Sequence, residues 1–133
     1  MKKIIFCFFV LLMISSGKGF SQSQGDTFNK INPIEFKELI SQQNSDIIIL
    51  DVRTPGEFKE GHIENSVNID LLGNDFKDNI SNLDNSKTYL VYCKLGGRSS
   101  KASNILNDLG FRNVYNLNGG ITDWIAKGYP VVK

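Results

Sequence analysis

The chain has 133 residues, which is enough for one globular domain. Its 15 basic and 14 acidic side chains nearly cancel, and 41% of its residues are hydrophobic. This composition excludes intrinsic disorder of the whole chain. The near-neutral charge gives no reason to expect a nucleic-acid partner, which usually requires a strongly basic surface.

The first 21 residues have the three-part pattern of a secretory signal peptide. Lys2 and Lys3 precede an apolar run over residues 4–14, and the small residues Gly19 and Ser21 follow it. The run is shorter than the roughly 20 apolar residues that span a bilayer. We therefore expect a signal peptide over residues 1–21, cleaved near Ser21, and a bacterial protein that is periplasmic or secreted and leaves the membrane after cleavage. The alternative is an uncleaved anchor or a buried helix.

The rest of the chain predicts a flexible lead-in over residues 22–32 and one domain over residues 33–133, because polar residues without periodicity give way to regular patterns. β-Branched apolar runs predict buried strands at 47–52, 88–92 and 114–117, with a shorter strand at 67–69. Amphipathic patterns predict helices at 33–43, 76–83, 99–109 and 121–127. This alternation predicts an α/β fold in which helices flank a mainly parallel sheet.

One cysteine dominates the search for chemistry. Removal of residues 1–21 leaves Cys93 as the only cysteine, so it cannot form an internal disulfide. Such a residue is buried and inert, or paired with another molecule, or a reactive thiol. Because Cys93 ends a predicted strand of a parallel sheet, it lies at the edge where sites of open α/β sheets form.

The residues after Cys93 favour the reactive thiol. Gly96 and Gly97 permit a tight turn that leaves backbone N–H groups uncovered, and a helix begins directly afterwards. Successive N–H groups in such a loop, together with a helix N-terminus, form an anion-binding nest. Lys94 and Arg98 add positive charge. A thiol there should have a lowered pKa and act as a nucleophile.

Three segments then carry a resemblance to a known family. Residues 50–58 with 61–63 read L-D-V-R-T-P-G-E-F and G-H-I, and residues 92–99 read Y-C-K-L-G-G-R-S. A third segment over residues 110–131 contains G-F, G-G-I, W and G-Y-P-V. In this order and spacing, the segments resemble the signatures of rhodanese-like sulfurtransferases over about residues 34–131. The resemblance implies a three-layer rhodanese-like α/β domain.

The resemblance also implies a reaction. Cys93 would attack the outer sulfur of a small anionic donor such as thiosulfate, and the resulting persulfide would pass its sulfur to cyanide or a thiol, which a partner protein can carry. No metal and no organic cofactor is implied. The implied substrate-binding residues are those of the loop after the cysteine: Lys94, Leu95, Gly96, Gly97, Arg98 and Ser99. Of these, Lys94 is expected at the rim, where its charge attracts anions.

Further residues are expected to support the loop. Asp51 and Arg53 end a predicted strand and are expected to form an ion pair beneath it. The family pattern gives His62 a loop-bonding role rather than a catalytic one. Arg98 either points to the substrate anion or bonds the carbonyls and acids that hold the loop, since arginine serves both uses. Ser99 is expected to cap the following helix, with donation toward the sulfur as the alternative.

Two other functions remain open. The domain is either a catalyst or a persulfide carrier that delivers sulfur to a partner protein. A phosphatase or arsenate reductase is disfavoured because those relatives have five residues between the cysteine and the arginine. Here four residues separate Cys93 from Arg98. The shorter loop suits one sulfur atom better than a phosphoryl group, because the geometry around a nucleophile decides what it can hold.

Overall fold

The computed structural model describes residues 28–133. The predicted signal peptide and residues 22–27 of the predicted lead-in lie outside this range. The strands are β1 Asn29–Ile31, β2 Ile47–Asp51, β3 Val67–Asn68, β4 Thr88–Tyr92 and β5 Asn113–Leu117. The helices are α1 Pro33–Ser41, α2 Pro55–Glu60, α3 Phe76–Ser81, α4 Gly97–Asp108 and α5 Gly120–Ala126. In this range no helix is both long and apolar enough to cross a membrane.

The five strands form one parallel sheet in the order β1-β5-β4-β2-β3. The register aligns Leu50 of β2, Val91 of β4 and Asn116 of β5 in one row across the sheet. All carboxyl ends therefore meet at one edge, where Asp51 and Cys93 lie. The central strands are continuous apolar runs because helices cover both faces of the sheet.

Two apolar cores lie on opposite faces of the sheet. One contains Phe76 and Ile80 of α3 with Ala102 and Leu106 of α4. The other contains Phe36 of α1 with Ile121 and Trp124 of α5. Helices therefore flank the sheet on both sides, and the predicted three-layer α/β fold is confirmed.

The sequence missed two short elements. Asn29–Ile31 falls in the predicted flexible lead-in but forms β1, in which Ile31 aligns with Leu117 of β5. The structure differs there from the predicted lead-in, because pairing with β5 places in the sheet three residues whose own pattern is too short to show a period. Helix α2 was also missed. Its signal was present, since Thr54 and Glu57 form a capping box around Pro55 at the first helical position.

Candidate active site

The loop between β4 and α4 wraps its backbone around the sulfur of Cys93. Cys93 directly follows β4 and is 1% exposed. The Gly96 N–H donates to Sγ over 3.1 Å, and the N–H groups of Leu95 and Ser99 also donate to it. Gly96 has φ +108°, a conformation that favours glycine and turns the backbone inward. The predicted nest of N–H groups is therefore present around the thiol.

The environment of Cys93 holds the pKa of its thiol below the ordinary value. Burial acts in the opposite direction, because it disfavours the charged thiolate. The Ser99 hydroxyl and the backbone N–H groups of Ser99, Gly96 and Leu95 outweigh burial, since each donates to the sulfur anion. The site can therefore hold a thiolate that is shielded from bulk water.

Ser99 does not cap helix α4. The helix begins at Gly97, two residues before the predicted start, and its N-cap residue Gly96 makes no side-chain capping bond. Ser99 lies in the first turn with its hydroxyl oxygen 3.3 Å from Sγ of Cys93 and 3.1 Å from the Gly96 carbonyl oxygen. The structure therefore shows the alternative placement, in which the hydroxyl faces the sulfur.

The start of helix α5 fastens the first part of the loop. The Ile121 N–H donates to the Cys93 carbonyl over 2.9 Å, and the Thr122 N–H donates to the Lys94 carbonyl over 3.1 Å. Gly120, with φ +62°, permits this approach, because a Cβ atom there would overlap the Lys94 carbonyl group. These contacts hold the backbone of the nucleophile against a second element.

Arg98 is held by a carboxylate from α2. Its Nη1 and Nη2 atoms lie 2.7 and 2.9 Å from Oε1 and Oε2 of Glu57. The hydrogen bonds from Arg98 are the main reason that the pKa of Glu57 falls to about 2, and bonds from Thr54 add to this effect despite the opposing effect of burial. Of the two predicted uses of Arg98, the structure shows bonding to an acid that holds the loop.

Asp51 and Arg53 form the expected ion pair. Nη2 of Arg53 lies 2.7 Å from Oδ2 of Asp51, and both residues are buried. The same Nη2 atom donates to the Gly61 carbonyl over 2.7 Å, and the Arg53 backbone N–H donates to Oδ1 of Asp51. The pair therefore connects the end of β2 with the chain segment after α2.

His62 has a bonding role in the structure. Its Nδ1 atom lies 2.8 Å from the Phe58 carbonyl oxygen, and its ring stacks on the Phe58 ring with centroids 3.7 Å apart. Its backbone pairs with Val132 in an antiparallel bridge, which places Val132 against the segment after α2. These contacts fix His62 in place next to Gly61, whose carbonyl accepts from Arg53.

A cavity of about 260 Å³ opens beside the loop between α2 and α5. Its lining includes Lys94, whose side chain is exposed, together with Glu60 and Val131. Neither Lys94 nor Glu60 has an ion-pair partner among residues 28–133. In the same range, no group of three histidine, cysteine or carboxylate side chains is placed to hold a metal ion.

The model of the rhodanese-like domain family matches residues 32–127. The chain belongs to the rhodanese-like domain family. It is 32% identical over 99 residues to the thiosulfate sulfurtransferase GlpE of Coxiella burnetii, which covers 74% of this chain and 89% of that protein. A rhodanese-related protein from Thermoplasma volcanium has a similar structure, with a TM-score of 0.69 and 37% identity over 79% of this chain and 98% of that one.

A longer relative is also similar. The chain is 39% identical over 98 residues to the tRNA uridine(34) hydroxylase of Cytophaga hutchinsonii. That match covers 71% of this chain but 31% of the hydroxylase, so the chain spans less than a third of its relative. Family membership together with the sulfurtransferase relatives supports sulfur transfer by this rhodanese-like domain.

The predicted site residues of the rhodanese-like domain separate into three groups. Those that meet at the sulfur are Cys93, Gly96, Ser99 and the backbone of Leu95. Those that build around it are Asp51, Arg53, His62 and Arg98, while Lys94, Gly97 and the Leu95 side chain face solvent. Sequence reasoning missed Glu57 and the N-terminus of α5. The capping-box pattern of Thr54 and Glu57 was the available signal for Glu57, but it does not reveal Arg98, which lies 41 residues away along the chain.

Proposed function

We propose that this protein is an exported sulfurtransferase that carries sulfane sulfur as a persulfide on Cys93. The observation that carries this proposal is the sulfur atom of Cys93, which lies within a ring of donors in a loop of the rhodanese-like family. The same donors would stabilise the thiolate before the reaction and a persulfide anion after it. Export follows from the signal pattern of residues 1–21 and is part of the proposal.

The reaction consists of two displacements at sulfur. The Cys93 thiolate attacks the outer sulfur of thiosulfate; an S–S bond forms, the S–S bond of thiosulfate breaks, and sulfite leaves with its electron pair. Cyanide or a thiolate then attacks the outer sulfur of the persulfide. The S–S bond of the persulfide then breaks, and its electron pair returns to Cys93, which becomes a thiolate again. Neither displacement needs an external oxidant or reductant.

Small thiosulfate-type donors suit the burial of the nucleophile. At 1% exposure, Cys93 is reached only by a small or narrow group. Thiosulfate presents a single terminal sulfur, and the exposed Lys94 provides a cation at the edge of the loop that attracts a dianion. Four residues between cysteine and arginine, as opposed to five, also disfavour a phosphoryl substrate.

The decisive experiment is the intact mass of the protein before and after exposure to thiosulfate. We expect a gain of one sulfur atom that cyanide removes and that the Cys93→Ser variant does not show. No gain in a protein whose Cys93 is reduced and open to alkylation would overturn thiosulfate as the donor. Hydrolysis of an aryl phosphate that depends on Cys93 would instead support a phosphatase.

A persulfide carrier is the second candidate, and one observation favours it. Leu95 exposes 67% of its surface in the loop itself, and Ile125 of α5 exposes 52%. Apolar side chains beside a nucleophile are suited to contact with a protein partner. A carrier would load sulfur fully but turn over slowly with cyanide or small thiols, and Leu95→Ser would slow transfer to its partner without slowing loading.

A further inference from the structure

Asn116 is a buried polar residue on β5 beneath the start of helix α4. It is 2% exposed and aligns with Val91 of β4. Cys93 comes two residues after Val91 and therefore lies on the same face of the sheet as Val91 and Asn116. Its Nδ2 atom donates to the Ser100 hydroxyl over 2.9 Å. Its Oδ1 atom has no partner among the described residues, which disfavours folding. Stability alone does not account for an amide at this position.

The amide begins a chain of hydrogen bonds that ends at the active loop. The Ser100 hydroxyl donates to the Gly96 carbonyl over 2.8 Å. A hydroxyl has a single proton, so once this bond is made Ser100 can only accept from Asn116. This fixes the orientation of the amide, with nitrogen toward Ser100. The chain therefore runs from Asn116 through Ser100 to Gly96, whose own N–H donates to the Cys93 sulfur.

The Gly96 carbonyl receives more donors than it has lone pairs. Ser100 supplies two of them, its backbone N–H at 3.0 Å and its hydroxyl at 2.8 Å, and the Ser99 hydroxyl at 3.1 Å is the third. A carbonyl oxygen has two lone pairs. The Ser99 bond is thus the longest of the three and the one most easily given up.

The Ser99 hydroxyl has a second acceptor once Cys93 is ionised. Its oxygen lies 3.3 Å from Sγ, so rotation of the hydroxyl exchanges the Gly96 carbonyl for the sulfur anion without movement of the backbone. Hydrogen bonds to a charged acceptor are roughly twice as strong as neutral ones. The exchange is favourable as long as the Gly96 carbonyl keeps its other donors.

We propose that Asn116 is a positioning residue: by holding the Ser100 hydroxyl on the Gly96 carbonyl, it frees the Ser99 hydroxyl to donate to the Cys93 sulfur anion. Without Asn116, the Ser100 hydroxyl loses the donor that orients it, and the Gly96 carbonyl draws the Ser99 hydroxyl back. The thiolate then loses one donor. This role depends on Cys93 as the reacting group and is independent of the sulfur donor.

The test is the pH dependence of Cys93 alkylation by iodoacetamide in the full chain. Peptide mass separates Cys93 from Cys7. We expect the midpoint to rise by about 0.5–1 pH unit in Asn116→Leu, equivalent to a threefold to tenfold lower thiolate fraction below the midpoint. Ser100→Ala should raise it similarly, and the double variant should rise no further, because both act through one chain.

Asn113→Leu is the matched control, because Asn113 lies on the same strand with its side chain exposed. We expect its midpoint to equal that of the unmodified protein. Leucine has the same number and branching of side-chain heavy atoms as asparagine and removes the unpartnered oxygen, so Asn116→Leu should stay folded, and its melting temperature is measured alongside. The charged groups near the sulfur are the same in all of these proteins: Lys94, the Arg98–Glu57 pair and the Asp51–Arg53 pair.

Two results would overturn the proposal. One is an unchanged midpoint in a folded Asn116→Leu protein, or in Ser100→Ala if Asn116→Leu melts early. The other is a shift from Asn116→Leu that persists in full when Ser100 is already alanine, since the effect would then bypass Ser100. Failure of thiosulfate to load Cys93 would overturn the proposed donor but leave this titration unaffected.

Discussion

Arg98 of α4 and Glu57 of α2 form a two-point ion pair across 41 residues of sequence, with N–O distances of 2.7 and 2.9 Å. The geometry of the guanidinium matches that of the carboxylate, so the pair fixes orientation as well as distance. Arg98 follows the loop that surrounds Cys93. The pair therefore couples the position of α2 to the first turn of the helix that supports the nucleophile.

Loss of this pair should slow sulfur transfer strongly but lower the free energy of unfolding only modestly. We expect Arg98→Lys to reduce the rate of persulfide formation about tenfold or more, because lysine cannot make the two-point contact and small displacements around a nucleophile have large effects on rate. The free energy of unfolding should fall by about 1 kcal/mol, as for a partly exposed pair. Persulfide formation quenched at set times measures the rate, and urea unfolding measures the free energy of unfolding.

Glu60→Gln is the matched control for this prediction. Glu60 lies in α2 with Glu57, is exposed and has no ion-pair partner among residues 28–133. We expect this variant to load sulfur at least as fast as the unmodified protein, because it removes a negative charge from the cavity beside the loop. Equal loading by Arg98→Lys and Glu60→Gln would show that the ion pair does not hold the loop.

The same pair predicts how stability changes with pH. Glu57 has a pKa of about 2 in the folded protein and an ordinary value of 4.5. A lowered pKa in the folded state means that the stabilisation is complete above pH 4.5 and is lost as the pH falls from 4.5 toward 2. As the pH falls through this window, we expect the free energy of unfolding in urea to decrease more steeply for the unmodified protein than for Glu57→Gln. Parallel pH profiles would contradict the ion pair.

Gly120 should be intolerant of any side chain. A Cβ atom there would lie 2.6 Å from the Cys93 carbonyl oxygen and would overlap the Lys94 carbonyl, and its φ of +62° is unfavourable for alanine. We expect Gly120→Ala to lower the free energy of unfolding by at least about 2 kcal/mol. Gly56→Ala is the control, since a Cβ atom there meets nothing within 4 Å. Chemical unfolding of both variants would compare them, and similar stabilities would show that α5 does not press on the loop.

Asp51 should contribute strongly to stability, although it lies at the same edge of the sheet as the nucleophile. Asp51→Asn leaves the buried Arg53 without a counter-charge, which typically destabilises a protein by about 3–5 kcal/mol. Asp108→Asn, at an exposed position at the end of α4, should have little effect. Urea unfolding at pH 7 gives both values. A loss for Asp51→Asn as small as that for Asp108→Asn would indicate that water reaches Arg53.

The sequence predicted the parts of the fold that have their own period. The strands at Ile47 and Thr88 begin where they were predicted, because each is a run of residues buried on both faces. Strand β1 and helix α2 were missed because neither shows an apolar face in its sequence: β1 buries one of its three residues, and α2 buries none. Their order comes from partners elsewhere in the fold, β5 for the strand and Arg98 for the helix.

The site was predictable where its chemistry follows the backbone. Cys93 and its loop were identified because glycines and a helix start lie next to the cysteine in sequence. Ser99 was misplaced as a cap, since the helix begins earlier, at Gly97, and brings the hydroxyl under the sulfur. Glu57 and Asn116 could not be assigned. Their roles depend on which strands and helices lie side by side, and spacing along the chain does not contain that information.

The outermost strands of the sheet are also its shortest. Strand β1 has three residues and β3 has two, whereas β2, β4 and β5 have five each. Exposed strand edges promote association of protein chains, and short edge strands limit it. This sheet therefore offers few free backbone groups to a neighbouring chain, which favours a protein that stays dispersed at high concentration.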